Sequence, residues 1–216
     1  MSKPSFLANQ TKKVCLICEG FEEYEYILQL LSLQIWSDVY DFYPINAECC
    51  GNIAPIYHME YSKDKYDIII AICDTDKTPS KGFFQIREKI DDIFGIKDAS
   101  DQVIIFTNPC TMQVILMHFG TVKLTTQSKK TNTSEIRRLT GLATTADYKA
   151  RKDQRTFIFS QITKANYLIM KNNISSLSHN FLDNPSTNFL KFLNLFEASN
   201  ISWIESINQI IDPDDK

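Results

Sequence analysis

The segment "YDIIIAIC", residues 66 to 73, constrains the fold more than any other part of the chain. It is a nearly unbroken apolar run, which predicts a strand covered on both faces, as in a parallel sheet. Shorter runs of this kind occur in "KVCLIC" (13–18) and "QVIIFTN" (102–108), and "YDFYPINAEC" contains a further predicted strand. The pattern therefore predicts a sheet of about four strands.

Helical patterns separate these runs. Apolar residues recur at three- and four-residue spacing after the first strand, in "CTMQVILMHF", and after "DTDKTPSKG", where Pro79 falls in the first helical turn. The segment "NIAPIYHMEYS" fits either a turn or a short helix. Strands alternating with helices over residues 13–118 predict an α/β fold with parallel strands and helices on both faces. A chain of 216 residues, 44% of them hydrophobic, is large enough to bury such a core.

Beyond residue 130 the pattern is mainly helical. Ile158, Ile162, Ala165 and Ile169 predict one long amphipathic helix, and "ISWIESINQII" predicts another near the end. In "DNPSTNFLKFLNLFE", an asparagine cap with a proline behind it predicts a helix start. We therefore divide the chain into an α/β core, residues 1–122, and a helical extension packed on it, residues 123–216.

Some classes of protein do not fit this sequence. No uninterrupted apolar segment approaches the ~20 residues needed to cross a bilayer, and the N-terminus lacks the apolar core of a secretion signal. We expect a cytoplasmic protein without membrane contact. The six cysteines mostly lie in or beside apolar runs, which favours reduced thiols. Cys15 and Cys18 form a C-x-x-C, but residues three apart in a strand point to opposite faces, which argues against a zinc site.

The net charge of −3 conceals a basic segment, residues 123–155. This segment has nine basic and three acidic side chains, a charge of +6, which leaves −9 for the rest of the chain. A local basic surface on an acidic protein is a plausible footprint for a polyanion such as nucleic acid. A solvated helical face would show the same composition, and the two interpretations stay open.

Carboxylates follow two of the predicted strands. Glu19 ends the first strand, and Asp74 and Asp76 directly follow the strongest one. Ligands of open parallel sheets lie at the carboxyl ends of the strands, so these acids are expected at one edge. Their mutual repulsion would be relieved by a hard divalent cation, Mg²⁺ or Mn²⁺. The alternative is ordinary turn or capping chemistry. Lys77 and Lys81 could hold flanking phosphates or be solvated loop lysines.

These motifs carry a family resemblance. "LICEG", followed 55 residues after its glutamate by "DTD", resembles the TOPRIM domain of primases, topoisomerases, OLD nucleases and ribosomal RNA maturases. "TNPCTMQVILMHF" (107–119) and "NPSTNF" (184–189) are similar to segments of RloB-like TOPRIM proteins. The resemblance implies a TOPRIM-like core and metal-dependent cleavage of RNA, tRNA included. It also implies an ABC-type ATPase partner in abortive-infection defence against phage.

The resemblance assigns roles to individual residues. Glu19, Asp74 and Asp76 would be catalytic and metal-binding, and Asn108 and His118 would be accessory. Met112 is a departure, since it stands where the family has an acid. The basic residues expected to contact nucleic acid are Lys77, Lys81, Arg137, Arg138, Arg151 and Lys152.

Two alternatives stay open beside RNA cleavage. The chain could be a non-catalytic, metal- or nucleic-acid-binding subunit of an ATPase complex, or it could cut DNA. A homo-oligomer is compatible with each function.

Overall fold

The computed structural model describes residues 11–211. Its strands are β1 (Lys12–Cys18), β2 (Tyr40–Asn46), β3 (Ile68–Asp74), β4 (Ile104–Asn108) and β5 (Ser186–Thr187). Its helices are α1 (Phe21–Ser32), α2 (Cys50–Tyr61), α3 (Lys81–Phe94), α4 (Ser100–Val103), α5 (Met112–Leu116), α6 (Thr133–Thr140), α7 (Lys152–Phe159), α8 (Lys164–Ile174), α9 (Phe189–Glu197) and α10 (Ser202–Ile211). The first ten residues of the predicted core and the last five of the predicted extension lie outside the described residues. The N-terminal stretch in which we expect no secretion signal is therefore described only beyond residue 10.

The described strands form one sheet in the order β2-β1-β3-β4-β5. The first four are parallel, and β5 pairs antiparallel with the end of β4. Residues 68–73 of β3 are all buried, as expected for a strand inside a parallel sheet with helices packed against it. The predicted α/β class with a mainly parallel sheet is therefore confirmed. The pattern did not predict β5, because two residues are too few to show a period.

Two predicted element boundaries are wrong. The strand predicted over residues 102–108 begins only at Ile104, because α4 occupies the preceding residues. The long helix predicted through Ile158 and Ile169 is two helices, α7 and α8. The chain breaks between them because Thr163 caps α8. The Thr163 amide donates to Asn166 Oδ1 at 2.7 Å, a capping box that starts a new helix.

The proline-containing segments also differ from their predictions. The segment left open between turn and helix forms α2, a twelve-residue helix with Pro55 inside it. Pro79 precedes the first turn of α3, because Ser80 is the residue that caps this helix. The asparagine and proline of "DNPSTN" do not start a helix; they lead into β5, and α9 begins at Phe189.

Both parts of the chain contribute to one hydrophobic core, which extends from Val14 to Ile211. The Trp203 indole of α10, for example, donates to the Tyr40 hydroxyl at the start of β2 at 2.8 Å. Cys15 and Cys18 are fully buried in this core. None of the helices in residues 11–211 has the length and apolarity that crossing a membrane requires.

Candidate functional site

Glu19 and Asp74 come together at the carboxyl ends of two neighbouring strands. Glu19 directly follows β1, and Asp74 is the last residue of β3. Because β1 and β3 are parallel neighbours, with Cys18 opposite Ile72, their ends meet at one edge of the sheet. The Glu19 amide continues the ladder by donating to the Ile72 carbonyl at 2.9 Å. The Glu19 side chain reaches the next strand, where its Oε2 accepts the backbone N–H of Asp74 at 3.0 Å.

Asp74 is fixed by the end of β4 and the segment that follows it. Its Oδ1 accepts hydrogen bonds from Thr107 Oγ1 at 2.8 Å, Thr111 Oγ1 at 2.9 Å and the Thr111 amide at 2.7 Å. Three donors hold this oxygen in one orientation, and Oδ2 makes no hydrogen bond to the described residues. Sequence reasoning missed both threonines. The signal that could have found them is the polar run "TNPCT", which begins at the same sheet edge.

Asp76 makes no hydrogen bond to Glu19 or Asp74 through its side chain, although its charge acts on Glu19. It lies two residues beyond β3, with a positive φ of 63°, which aspartate tolerates better than most residues. The buried hydroxyl of Thr75 fixes the turn by donating to the Asp76 carbonyl at 3.0 Å. Within residues 11–211, no group of three or more His, Cys, Asp or Glu side chains is arranged so that it could hold a metal ion. The structure therefore joins two of the three predicted acidic residues, through a hydrogen bond from the Asp74 amide to the Glu19 carboxylate.

Burial and neighbouring negative charges disfavour the charged forms of these acids. The pKa of Glu19 is raised from 4.5 to about 8, first by burial and then by the charge of Asp74, with a smaller effect from Asp76. The Asp74 amide and Lys149 oppose this rise. The pKa of Asp74 is raised from 3.8 to about 6, chiefly by burial, although Lys129 lowers it. The pair therefore favours a protonated Glu19 at neutral pH unless a cation joins it.

Lys129, which composition alone assigns to a basic surface, is buried beside these acids. Its Nζ lies 2.7 Å from Glu22 Oε2 and 3.4 Å from Cys110 Sγ, and its side chain is only 11% exposed. Burial alone would lower the pKa of Lys129, but Cys110, Glu22 and Asp74 together raise it above its ordinary value. Lys129 is therefore an internal cation that offsets part of the negative charge.

The start of α1 places an aromatic ring close to Glu19. Gly20 caps the helix, and its N–H donates to the buried Glu23 Oε2 at 3.0 Å. Phe21 is the first helical residue, and 52% of it is exposed. The Arg155 guanidinium lies 5.6 Å from the centre of the Phe21 ring, within the range of a cation–π contact.

The basic segment divides into paired and unpaired cations. Lys129, Arg138, Arg151 and Arg155 form ion pairs with Glu22, Glu135, Asp153 and Glu25, respectively. The remaining five are exposed and have no ion pair among the described residues: Lys123, Lys130, Arg137, Lys149 and Lys152. Arg155 is 4% exposed and donates to both Glu25 oxygens, at 2.8 and 3.1 Å, and to the Lys149 carbonyl at 2.9 Å. Arg155 thereby fixes the segment to α1, beside the carboxylates.

All six residues predicted to contact nucleic acid are exposed. Lys77 and Lys81 lie in the loop after Asp76 and at the start of α3. Arg137 and Arg138 lie on α6, and Arg151 and Lys152 lie at the start of α7. Arg138 and Arg151 are neutralised by their acidic neighbours, so the other four are the better candidates for binding phosphate. Sequence reasoning did not single out Lys149, the lysine whose charge acts on Glu19.

The two predicted accessory residues make contacts inside the fold. His118 is 1% exposed, its Nε2 lies 2.8 Å from the Tyr26 hydroxyl, and burial lowers its pKa to about 4. Asn108 is fully buried, and its Nδ2 donates to the Phe181 carbonyl at 3.0 Å. Met112 is also fully buried, as part of the core. The contacts of these residues stabilise the elements around the carboxylates.

The oxygen donors of the site suit a hard cation. Mg²⁺ usually binds through one or two carboxylates and keeps waters or substrate phosphates in its other positions. Glu19 Oε1 and Asp74 Oδ2 make no hydrogen bond to the described residues and would serve as those two ligands. The residues present thus fit Mg²⁺ or Mn²⁺ in an open, two-carboxylate site.

Comparisons of this chain with protein-family models, with curated proteins and with solved structures found no match.

Proposed function

We propose that the protein is a Mg²⁺- or Mn²⁺-dependent nuclease that cleaves RNA, and that its sheet and the helices around it are a TOPRIM-like core. The contact between Glu19 and Asp74 is the observation that carries this proposal. The Glu19 carboxylate accepts the Asp74 amide at 3.0 Å, and the pKa values of both acids are raised. A divalent cation would stabilise the ionised forms of two such acids. Cytoplasmic RNA, tRNA included, is the substrate that the motif resemblance implies.

Each residue of the site has a role in this proposal. Glu19 and Asp74 would ligate the metal, which when bound supplies charge to polarise the scissile phosphate. Asp76 would act as a third acid beside them. Alternatively, Asp74 would hold the metal without Glu19, and Glu19, whose pKa without metal is raised to about 8, would take up and release a proton near neutral pH, as a general acid or base must. Exposed Lys149 would hold a neighbouring phosphate, and the exposed Phe21 ring would stack against an unpaired base.

A second function is favoured by Met112. This residue is fully buried where the related proteins have an acid, so the site has one carboxylate fewer than theirs. The chain would then be a non-catalytic subunit that binds metal or nucleic acid at the same edge. A DNA-cutting nuclease would use the same carboxylates. The ABC-type ATPase partner and the role in phage defence extend the proposal on the resemblance alone.

The proposal predicts metal-dependent RNA cleavage that needs the carboxylates. Wild type, Glu19→Gln and the double variant Asp74→Asn, Asp76→Asn would be incubated with total RNA and with plasmid DNA, with and without Mg²⁺ or Mn²⁺. We expect both variants to lose at least ~100-fold in rate, the usual scale for removing a general acid or base. Glu205→Gln, which changes an exposed acid on α10, is the matched control.

The outcomes separate the three functions. Equal cleavage by all four proteins would mean that the activity belongs to a contaminant or to another site. Cleavage of plasmid but not RNA would select the DNA enzyme. If the wild type cuts neither, yet Mn²⁺ raises its melting temperature and not that of Glu19→Gln, the chain is the non-catalytic subunit.

A further inference from the structure

A second cavity lies beside the unpaired part of β4. It has a volume of about 610 Å³ and is lined by residues of α3, β4, α9 and the loop before β5. This volume falls within the range of about 300–1,000 Å³ that is usual for small-molecule sites. None of the residues of the carboxylate site lines it. The motif "NPSTNF", which the proposed function does not use, forms one wall through Asn188.

The cavity cannot accept an added β-strand, because the edge of β4 is already satisfied. Along β4, β5 pairs with Thr107 and Asn108. Beyond it, the Asn188 side chain takes the place of a strand: its Oδ1 accepts the Phe106 amide at 2.9 Å and its Nδ2 donates to the Ile104 carbonyl at 2.8 Å. A ligand of the cavity must therefore bind through side chains.

Three phenylalanine rings give the cavity an aromatic wall. The Phe181 ring centre lies 5.4 Å from that of Phe83 and 6.1 Å from that of Phe106. The Arg87 guanidinium lies 4.6 Å from the centre of Phe181, and its two acids, Asp98 and Asp101, hold it there. The Asn108 side chain fixes the Phe181 backbone. Such a rigid aromatic wall suits a planar ring.

Two other side chains give the cavity unpaired polar groups. Lys191 forms no ion pair among the described residues, and its closest polar contact is Gln102 Oε1 at 3.5 Å. Burial lowers the pKa of Lys191, although Asp101 opposes this. His179 Nδ1 lies 3.0 Å from the Thr187 carbonyl, which can only accept, so Nδ1 is the donor and Nε2 of the neutral ring is left as an acceptor for a ligand hydroxyl. Lys191 favours an anion at the rim, and His179 favours a hydroxyl group beside it.

We propose that this cavity binds a nucleotide, with the base against the partly exposed Phe181 ring, the phosphate at Lys191 and a ribose hydroxyl at His179 Nε2. The planar ring and the negative charge of a nucleotide match the two halves of the lining. The nucleotide is either free or the end of a nucleic acid strand. This site is independent of the carboxylates and does not require the proposed nuclease activity.

The test measures binding of nucleoside 5′-monophosphates by equilibrium dialysis in EDTA, so that no metal at the carboxylates contributes. The controls are the matched nucleosides, which lack the phosphate, and ribose 5-phosphate, which lacks the base. We expect saturable binding of at least one nucleotide, and an affinity at least about tenfold lower for the nucleosides and for ribose 5-phosphate. Lys191→Met should weaken nucleotide binding about tenfold or more through loss of a charge-assisted contact. Phe181→Leu, which keeps an apolar side chain without a planar ring, should also weaken it.

Lys164→Met is the matched control, because Lys164 is an exposed lysine at the start of α8. It should bind like the wild type, and melting temperatures should show that all variants fold. Competition by a single-stranded oligoribonucleotide would assign the cavity to the end of a strand, and its absence to free nucleotides. The proposal is overturned if the wild type shows no saturable binding, or if Lys191→Met and Phe181→Leu both bind nucleotide as the wild type does.

Discussion

Two carboxyl groups in one buried contact titrate as a unit, and Glu19 and Asp74 are such a pair. Burial raises the pKa of both, the charge of Asp74 adds to the rise at Glu19, and Glu23 beside them also has a raised pKa, chiefly through burial. Between about pH 4.5 and 8, the folded chain keeps a proton on Glu19 that the unfolded chain has released. Stability must therefore fall as the pH rises through this range.

This titration predicts a pH-dependent melting temperature. A tenfold difference in proton affinity is worth about 1.4 kcal/mol, and ~1 kcal/mol shifts the melting temperature of a chain of this size by about 2–4 °C. In EDTA, we expect the wild type to melt several degrees lower at about pH 8 than at about pH 5. Glu19→Gln should flatten this dependence, and Mg²⁺ should raise the wild-type melting temperature most at the higher pH. Scanning calorimetry checks both. Parallel pH profiles for wild type and Glu19→Gln would contradict the assignment.

At the scale of elements, one arginine connects the basic segment to α1. Arg155 of α7 donates to both oxygens of Glu25 and to two carbonyls of the preceding loop, Tyr148 at 3.3 Å and Lys149 at 2.9 Å. Both members of the ion pair are largely buried. Because the loop it holds contains Lys149, Arg155 positions a cation next to Glu19.

Loss of this contact is expected to destabilise the fold. Arg155→Met leaves the Glu25 carboxylate buried without a partner, which typically costs about 3–5 kcal/mol. The exposed pair of Arg151 and Asp153 provides the control in the same segment, and Arg151→Met should change stability far less than Arg155→Met does. Urea denaturation measures both. Similar losses in the two variants would show that Arg155 is no more important to the fold than a surface arginine.

At the scale of the whole molecule, charge is distributed unevenly around the carboxylate edge. Five cations of the basic segment are exposed to solvent and have no ion pair among the described residues. One of them, Lys149, lies in the loop that Arg155 fixes, and another, Lys152, follows this loop at the start of α7. An acidic protein that presents unpaired cations beside its carboxylates is suited to bind the phosphates of a nucleic acid while a metal neutralises the acids.

If this surface binds RNA, removing its lysines should reduce the salt dependence of RNA binding more than removing lysines elsewhere. The triple variant Lys130→Gln, Lys149→Gln, Lys152→Gln should bind RNA of any sequence more weakly, and its salt slope should fall by up to about one for each lost phosphate contact. Lys89→Gln, Lys97→Gln, Lys164→Gln removes the same charge from exposed lysines outside the segment. Filter binding across a salt series compares the two. Equal effects would mean that net charge, and not this surface, governs binding.

The sequence by itself determined the strands and the position of the acids on them. The apolar runs of β1 and β3 are nearly continuous, so both faces of each strand must be buried, as they are in a parallel sheet. Parallel neighbours bring their carboxyl ends to one edge. The meeting of Glu19 and Asp74 followed from local pattern. Helix boundaries followed less directly from the sequence. A capping residue such as Thr163 can end one helix and start another even where the helical spacing of apolar residues continues.

Tertiary structure alone decided which charges are free. Lys129 and Arg155 are indistinguishable in composition from Lys149 and Lys152, yet the first two are buried against acids of α1. The partners of Lys129 and Arg155, Glu22 and Glu25, lie more than a hundred positions away, and no local period encodes those pairings. Nor does any period encode the Asn188 side chain replacing a strand at β4, since it too is a contact between distant segments. Local propensities act over a few neighbouring residues, whereas burial and ion pairing are set by the path of the whole chain.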